Sequence, residues 1–516
     1  MLERMEHFLI RPASVFYKGF PMRQLARVTL FSLAVCLLMG STSHSVNAAS
    51  QRDRDKPRDS HKPNVLFIAV DDLNDWIHCL GGHPDCRTPN IDRLAKRGVL
   101  FTRSYCAAPA CNPSRAALMT GVRPWTSGVY VNPQPWRPAM PKVVTLPQHF
   151  MAHGYEAVGC GKIFHGGYDD DASWNRYLKK GRDPKPTRKV LKDPRSRAGG
   201  IVWGVLDVPD SQMNDYKMTS FAIDYLKQKH AKPFFLACGI YRPHMPWQVP
   251  RKYYDMYPPE KIRLPKVLNT DLDDVPPAGV KMARPQGDHR TILRTGNWRY
   301  AVQGYLASIA FADVQVGRLL DALDNSPHAK NTIIVLWGDH GWHLGEKLHW
   351  RKFSLWEEAT RAPLMISAPG ITKPGSVCHR TVDFMSIYPT LAELCGLPIP
   401  KHVEGPSAVS LLKNPAQEWK RPAITTHGRL NHAVRDERFR YIRYADGSEE
   451  LYDHNADPLE WKNLASDPKY SSEKSRLAKW LPKTNAPNAK FDSRKVRKQK
   501  RNQKKKRKRK QNANVR

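Results

Sequence analysis

The chain has 516 residues, 41% of them hydrophobic, with 14 tryptophans and a formal net charge of +35. That apolar content excludes an intrinsically disordered chain, and the length leaves room for one large domain and a smaller one. The charge implies attraction to polyanions such as sulfated polysaccharide, acidic envelope lipid or nucleic acid.

Met22–Arg27 is a basic stretch, Val28–Met39 a short apolar run, and Val46-Asn47-Ala48 a small-residue cleavage site. Residues 1–49 therefore read as a signal-peptide region, with Met22 as an alternative start. The apolar run is too short to span a bilayer well, and no later stretch is long enough. An exported protein, periplasmic or extracellular and without an integral membrane segment, is expected. Residues 50–61 are polar and charged, a linker.

Asn64–Val70 is a continuous apolar run rich in strand formers, read as a buried strand of a parallel sheet, and it ends in Asp71-Asp72. Thr88–Ala95 carries a capping residue, a proline at the first helical position and helical periodicity. Pro113 at a first helical position starts another helix whose N-terminus faces Cys111 and favours negative charge there. Arg115 adds a permanent cation. On these residues alone Cys111 reads as a low-pKa nucleophile, as a buried structural thiol, or as part of an oxyanion site.

Residues 169–205 are Asp-rich, then basic and Pro/Gly-rich, and predict a long surface loop. Phe234–Gly239 predicts a second buried strand, Trp298–Leu323 a long amphipathic helix, and Thr332–Trp337 a third strand running into Gly338-Asp339-His340-Gly341. The texture changes near residue 400. A catalytic domain over 62–415 and a small α+β subdomain over 416–489 follow. The tail, 490–516, includes 13 basic residues and no acidic one between Arg494 and Lys510; it predicts disorder and a capacity to bind polyanions. Strands alternating with helices imply an α/β fold around a mainly parallel sheet.

Catalytic groups in such sheets gather at the carboxyl ends of strands. Here two strands end in acids, Asp71-Asp72 and Asp339-His340. Adjacent carboxylates repel unless a cation lies between them, and oxygen ligands favour Ca²⁺ or Mg²⁺. Besides Cys36 and Cys111, the chain has seven cysteines, of which Cys79 and Cys86 are close enough in sequence to bridge. No Cys/His spacing resembles a zinc site.

Cys111-Asn112-Pro113-Ser114-Arg115, followed by Ala116-Ala117-Leu118-Met119-Thr120-Gly121, resembles the signature of the type I sulfatases. The resemblance covers about residues 62–465 and implies an alkaline-phosphatase-like α/β sandwich. It implies that Cys111 is converted to formylglycine by a formylglycine-generating enzyme and that Arg115 holds the aldehyde hydrate. It also assigns Asp71, Asp72, residue 111, Asp339 and His340 as ligands of one Ca²⁺. Histidine at 340, where many sulfatases carry asparagine, is similar to the iduronate-2-sulfatase group, as is the run Asp339-His340-Gly341-Trp342.

Lys162, His165, His244, Trp342 and Lys352 match the same group. The implied catalytic set is Cys111, Arg115, Lys162, His165, His244 and Lys352, with Trp342, His244 and Lys352 contacting substrate. By the same resemblance the hydrated aldehyde attacks sulfur, His244 or Lys352 protonates the departing sugar alcohol, and His165 then takes a proton so that sulfate is expelled. The expected substrate is a sulfated poly- or oligosaccharide, with a uronate 2-O-sulfate favoured. A phosphonate monoester or phosphodiester hydrolase of the same superfold is the second reading, and a non-catalytic polyanion binder the third.

Overall fold

The computed structural model describes residues 62–490. The expected signal region, the linker and the tail beyond Lys490 lie outside the described residues. Eight strands form the central sheet: β1 (Asn64–Val70), β2 (Val99–Tyr105), β3 (Glu156–Gly161), β4 (Arg176–Lys179), β5 (Phe234–Ile240), β6 (Thr332–Gly338), β7 (Leu364–Ser367) and β8 (Ser376–Asp383). Their order is β8-β2-β7-β6-β1-β5-β3-β4. β7 runs antiparallel to β2 and β6, and every other pairing is parallel.

β1 is central, paired with β5 on one side and β6 on the other. No side chain from Val65 to Val70 is exposed. Leu66, Ile68 and Val70 enter one hydrophobic cluster, while Val65, Phe67 and Ala69 enter the other. Successive side chains point to opposite faces of a strand, so an unbroken apolar run is what a strand covered on both faces needs. Each large side chain so buried contributes about 1.5–3 kcal/mol. The Trp298–Asp324 helix covers the first face through Tyr305, Leu306, Ile309 and Val316. The Cys111–Thr120 and Ile387–Leu394 helices cover the second through Leu118, Met119 and Leu391. This is the alkaline-phosphatase-like sandwich that the resemblance implies.

A four-stranded antiparallel sheet (Ala423–Thr426, His432–Arg435, Phe439–Arg443, Glu449–Asp453) follows in the C-terminal region. It is tied to the main body where the Thr425 hydroxyl donates to the Cys106 carbonyl at 2.6 Å. A short hairpin pairs His343–Leu344 with Trp350–Arg351 and delivers Lys352. Among the described residues no helix is long and apolar enough to cross a membrane.

Three expectations need correction. The helix starts at Cys111, not at Pro113, which occupies the third helical position behind the N-cap Ala110. Proline is tolerated there because an N–H in the first turn has no intrahelical acceptor. The stretch 169–205 is not one loop: it supplies the edge strand β4, the Arg188–Lys192 helix and the start of the strand Ile201–Leu206. The edge strand escapes sequence reading because Arg176, Leu178 and Lys179 are exposed, leaving no apolar alternation to find. Cys79 and Cys86 are free thiols, as are all the described cysteines.

Candidate active site

Four strand ends converge on one point. β1 delivers Asp71 and Asp72, β3 delivers Lys162, β5 leads to Tyr241 and His244, and β6 delivers Asp339 and His340. Glycines at the ends of β3 and β5 let their backbones close in: a Cβ on Gly161 would stand 2.0 Å from the Gly239 carbonyl oxygen, and one on Gly239 would stand 2.4 Å from the Lys162 backbone. This contact sets the depth of Lys162. The Cys111–Thr120 helix points its first residue into the same space, with Cys111 only 1% exposed.

Arg115 binds the acids from below. Its Nη2 donates to Asp71 Oδ1 at 3.0 Å, its Nε to Asp339 Oδ2 at 2.8 Å, and its Nη1 to the carbonyls of Lys162 and Ile163. Lys162 donates to Asp71 Oδ2. Burial alone would raise the Asp71 pKa, but Lys162 and Arg115 hold this carboxyl well below the usual carboxylate range. Asp339 goes the other way: burial pushes it up to about 6 despite Arg115 and His340. The Ser114 hydroxyl fixes the Asp339 carbonyl at 2.5 Å.

Asp72 adopts a left-handed conformation, φ 59°, which costs a non-glycine residue about 1 kcal/mol or more. The twist aims its N–H at Asp339 Oδ1, 2.9 Å away, and its carbonyl at the Tyr305 hydroxyl, 2.8 Å away. Its side chain then faces Cys111. Lys352 Nζ lies 2.6 Å from Asp72 Oδ1 and 2.9 Å from Cys111 Sγ. His340 Nε2 lies 3.3 Å from the same sulfur, with Nδ1 held 3.0 Å from the Gly341 carbonyl. If Nδ1 carries the proton, Nε2 presents a lone pair to residue 111. Burial opposes ionisation of Cys111, yet Lys162, Lys352 and His340 pull its pKa well below the ordinary thiol value.

One ligand atom each from Asp72, Cys111, Asp339 and His340 lies within 4.8 Å of the others, and Asp71, Asp72 and His244 form a second such group. Asp72 Oδ2 is buried without a hydrogen-bond partner. A buried carboxylate oxygen left unpaired is costly, and a cation among these acids removes that cost. The donor set therefore fits a hard divalent ion, with His340 its only nitrogen. Three carboxylates already face three cations, Arg115, Lys162 and Lys352. A divalent ion would make the site net positive and so attractive to an anion.

His244 stands at the rim, its Nε2 3.8 Å from Asp72 Oδ2 and its Nδ1 2.6 Å from the Met245 carbonyl. His165 approaches Cys111 from another side; burial lowers its pKa, and its Nδ1 is buried without a partner. All the expected catalytic and metal-ligating residues thus surround residue 111. Trp342 differs: it is 1% exposed and packs under the Lys352 ammonium, 5.3 Å from ring centroid to nitrogen. It supports that lysine from beneath.

Sequence reading assigned no site role to Tyr241, Tyr305 or Lys180. Tyr305 sits within an apolar helical stripe, so nothing marked its hydroxyl as a site anchor. Tyr241 precedes the Arg242-Pro243-His244 run, and its ring carries both the Lys162 and the Lys180 ammonium. Lys180 lies in the stretch expected to be a loop, where no motif marks it.

Residues 63–397 match the sulfatase family, and residues 338–486 match the C-terminal region of N-sulphoglucosamine sulphohydrolase. A sulfatase of Formosa agariphila is 41% identical over 474 residues, covering 88% of this chain and 91% of that protein. The iduronate 2-sulfatase of Homo sapiens is 32% identical over 435 residues, covering 75% and 76%. Among solved structures, the phosphonate monoester hydrolase of Agrobacterium radiobacter superposes with a TM-score of 0.68 at 24% identity, covering 81% of this chain and 94% of that one. That last likeness establishes the fold alone. Sequence match and signature motif agree over most of the described residues, and the chain belongs to the sulfatase family.

Proposed function

We propose that this sulfatase removes the 2-O-sulfate of a uronate within a sulfated carbohydrate, using formylglycine at position 111 and one bound Ca²⁺. The observation that carries the reading is the convergence on Cys111 Sγ of Lys352 at 2.9 Å, His340 at 3.3 Å and Asp72 at 3.7 Å. The iduronate 2-sulfatase relative supports the choice of a uronate, as does the Asp339-His340-Gly341-Trp342 run.

Asp71, Asp72, Asp339 and His340 would hold the ion, together with the modified residue 111. When loaded, formylglycine supplies the nucleophilic oxygen, and Ca²⁺ supplies Lewis acidity beside it. The remaining work falls to the protein's own side chains. Lys162 and Lys352 neutralise the ester's equatorial oxygens from fixed positions, which costs no reorganisation during reaction. Lys352, beside residue 111, and His244, at the rim, can give a proton to the departing alkoxide. His165, kept neutral at pH 7 by burial, can take a proton from residue 111 in the second half of the cycle. Arg115, fully buried, orients Asp71 and Asp339. Export and maturation by a formylglycine-generating enzyme belong to the same reading.

The test is mass spectrometry of the peptide containing residue 111 from the native host, paired with turnover of 2-O-sulfated and 6-O-sulfated uronate-containing oligosaccharides. Conversion of cysteine to formylglycine lowers the mass by about 18 Da. The proposal expects that shift and selective release of 2-O-sulfate. An unmodified thiol in an active enzyme, or equal release from both substrates, contradicts it.

A further inference from the structure

A cavity of about 880 Å³ lies beside Lys352, between the Pro277–Ala283 helix, the short hairpin and the C-terminal sheet. Arg351 and Phe353, the neighbours of Lys352, line it together with Lys281, Arg284 and His427. Its volume is in the range of a small-ligand site.

Two features of the lining do not serve the fold. The first is backbone conformation. Arg284, Arg351 and Phe353 have φ of 52°, 82° and 78°, in the left-handed region that favours glycine. Arg284 takes the helix C-cap position where glycine is the usual residue. Such strain persists where the side chain is needed.

The second feature is unmet polarity. Lys281 and Arg284 are exposed, and among the described residues neither side chain has a hydrogen-bond, ion-pair or ring partner. Arg351, in contrast, is paired with Asp288 at 2.6 Å. His427 Nδ1 is buried with no partner. The His427 ring lies 5.9 Å from the Phe353 ring at 35°, so the two rings form an aromatic pair in the lining. Unpartnered cations and aromatic surface in one cavity suit a sugar that carries an anionic group: ring carbons pack on the aromatics, and the anion meets the cations.

We infer that this cavity is a second sugar subsite, which holds the anionic sugar next to the residue being desulfated and makes the enzyme selective for oligosaccharides over single sugars. The inference rests on the sulfatase reading of residue 111. The anion is a carboxylate or a sulfate, since both pair with Lys281 and Arg284 in the same way.

The test compares the wild-type enzyme with the Lys281→Ala/Arg284→Ala double variant. Both are assayed on a 2-O-sulfated uronate monosaccharide and on a sulfated uronate-containing tetrasaccharide. The expected result is a rise of about 10-fold in KM for the tetrasaccharide with the monosaccharide unchanged within about 2-fold. Ala278→Trp, which fills the cavity without changing charge, should give the same split. An equal effect on both substrates, or none on either, overturns the inference. Calorimetry adds a readout independent of turnover: wild type should bind the tetrasaccharide, and the double variant should bind it about 10-fold more weakly. A tetrasaccharide that keeps only the scissile 2-O-sulfate and still separates wild type from the double variant identifies the carboxylate as the anion; a difference that needs a sulfate on the neighbouring sugar identifies sulfate. If the wild type hydrolyses neither substrate, the 2-O-uronate reading fails, while the calorimetric difference still decides the cavity. Equal tetrasaccharide binding by wild type and double variant overturns it.

Discussion

The Lys352 ammonium lies 2.9 Å from the Cys111 sulfur and is 5% exposed. Packing on Trp342 does not require an ammonium so close to a thiol, and burial would lower its pKa. Asp72 and Cys111 instead raise it, so the group stays charged. Substituting Lys352→Ala should lower kcat/KM for sulfate-ester hydrolysis by about 10²–10⁴, as expected when one donor to a developing anion is removed. The loss should fall mainly on kcat, and residue 111 should still be converted. A variant with near-normal kcat removes Lys352 from the chemistry.

Asp71, Asp72 and Asp339 are all fully buried within one strand-end cluster. Removing a cation from among them leaves like charges facing one another, offset only by Arg115, Lys162 and Lys352. Ligand binding to the folded state adds RT ln(1 + [L]/Kd), about 2.7 kcal/mol at 100 times Kd. Exhaustive chelation should therefore lower Tm by several degrees, and Ca²⁺ should restore it. Asp72→Asn should abolish most of the Ca²⁺-dependent shift. An unchanged Tm on chelation would falsify the assignment of the ion to these acids.

The parts of this site that the sequence displays are those whose signal is local. β1 and β6 are legible because an uncharged apolar run ending in Asp can be little else in a sheet buried on both faces, and residues 111–121 carry a whole helix start and end within one motif. Lys180 and the Arg176–Lys179 strand are not legible. Their positions depend on pairing with β3 and on packing against Tyr241, which are contacts with other segments that no local pattern encodes. Trp342 shows the converse: a local motif marks it, but its packing beneath Lys352 depends on the hairpin that delivers that lysine.

Lys180 rests over the Tyr241 ring, whose centroid is 5.3 Å from Lys162 Nζ and 4.6 Å from the His244 ring. It therefore stands one aromatic ring away from two residues of the site. Burial lowers its pKa to about 8 despite nearby Asp215. A lysine is charged below its pKa, so Lys180 offers a cation at pH 7 and loses it above about pH 8. Lys180→Ala should raise KM about 10-fold for substrates with a carboxylate beside the scissile sulfate, with kcat within about 3-fold. Lys180→Arg should restore most of the affinity and remove the rise in KM above pH 8. If KM is unaffected by Lys180→Ala, the residue only braces Tyr241.

His432 in the C-terminal sheet gives a test on stability instead of activity. Its ring nitrogens contact Thr426 Oγ1 and Asn485 Oδ1, each at 2.9 Å. A neutral imidazole satisfies both, donating from Nε2 and accepting the hydroxyl at Nδ1, whereas protonation at Nδ1 removes that acceptor. Burial lowers its pKa to about 4. The unfolded chain titrates near 6.5, so below that pH the unfolded state takes up the proton first. Stability is complete above pH 6.5 and falls progressively until about pH 4. At pH 5 the loss from this residue is at most about 2 kcal/mol. His432→Asn, which cannot titrate, should therefore narrow the drop in Tm between pH 7 and pH 5 by a few degrees, even if it lowers Tm overall. The same drop in variant and wild type would show that His432 does not set the acid sensitivity of this sheet.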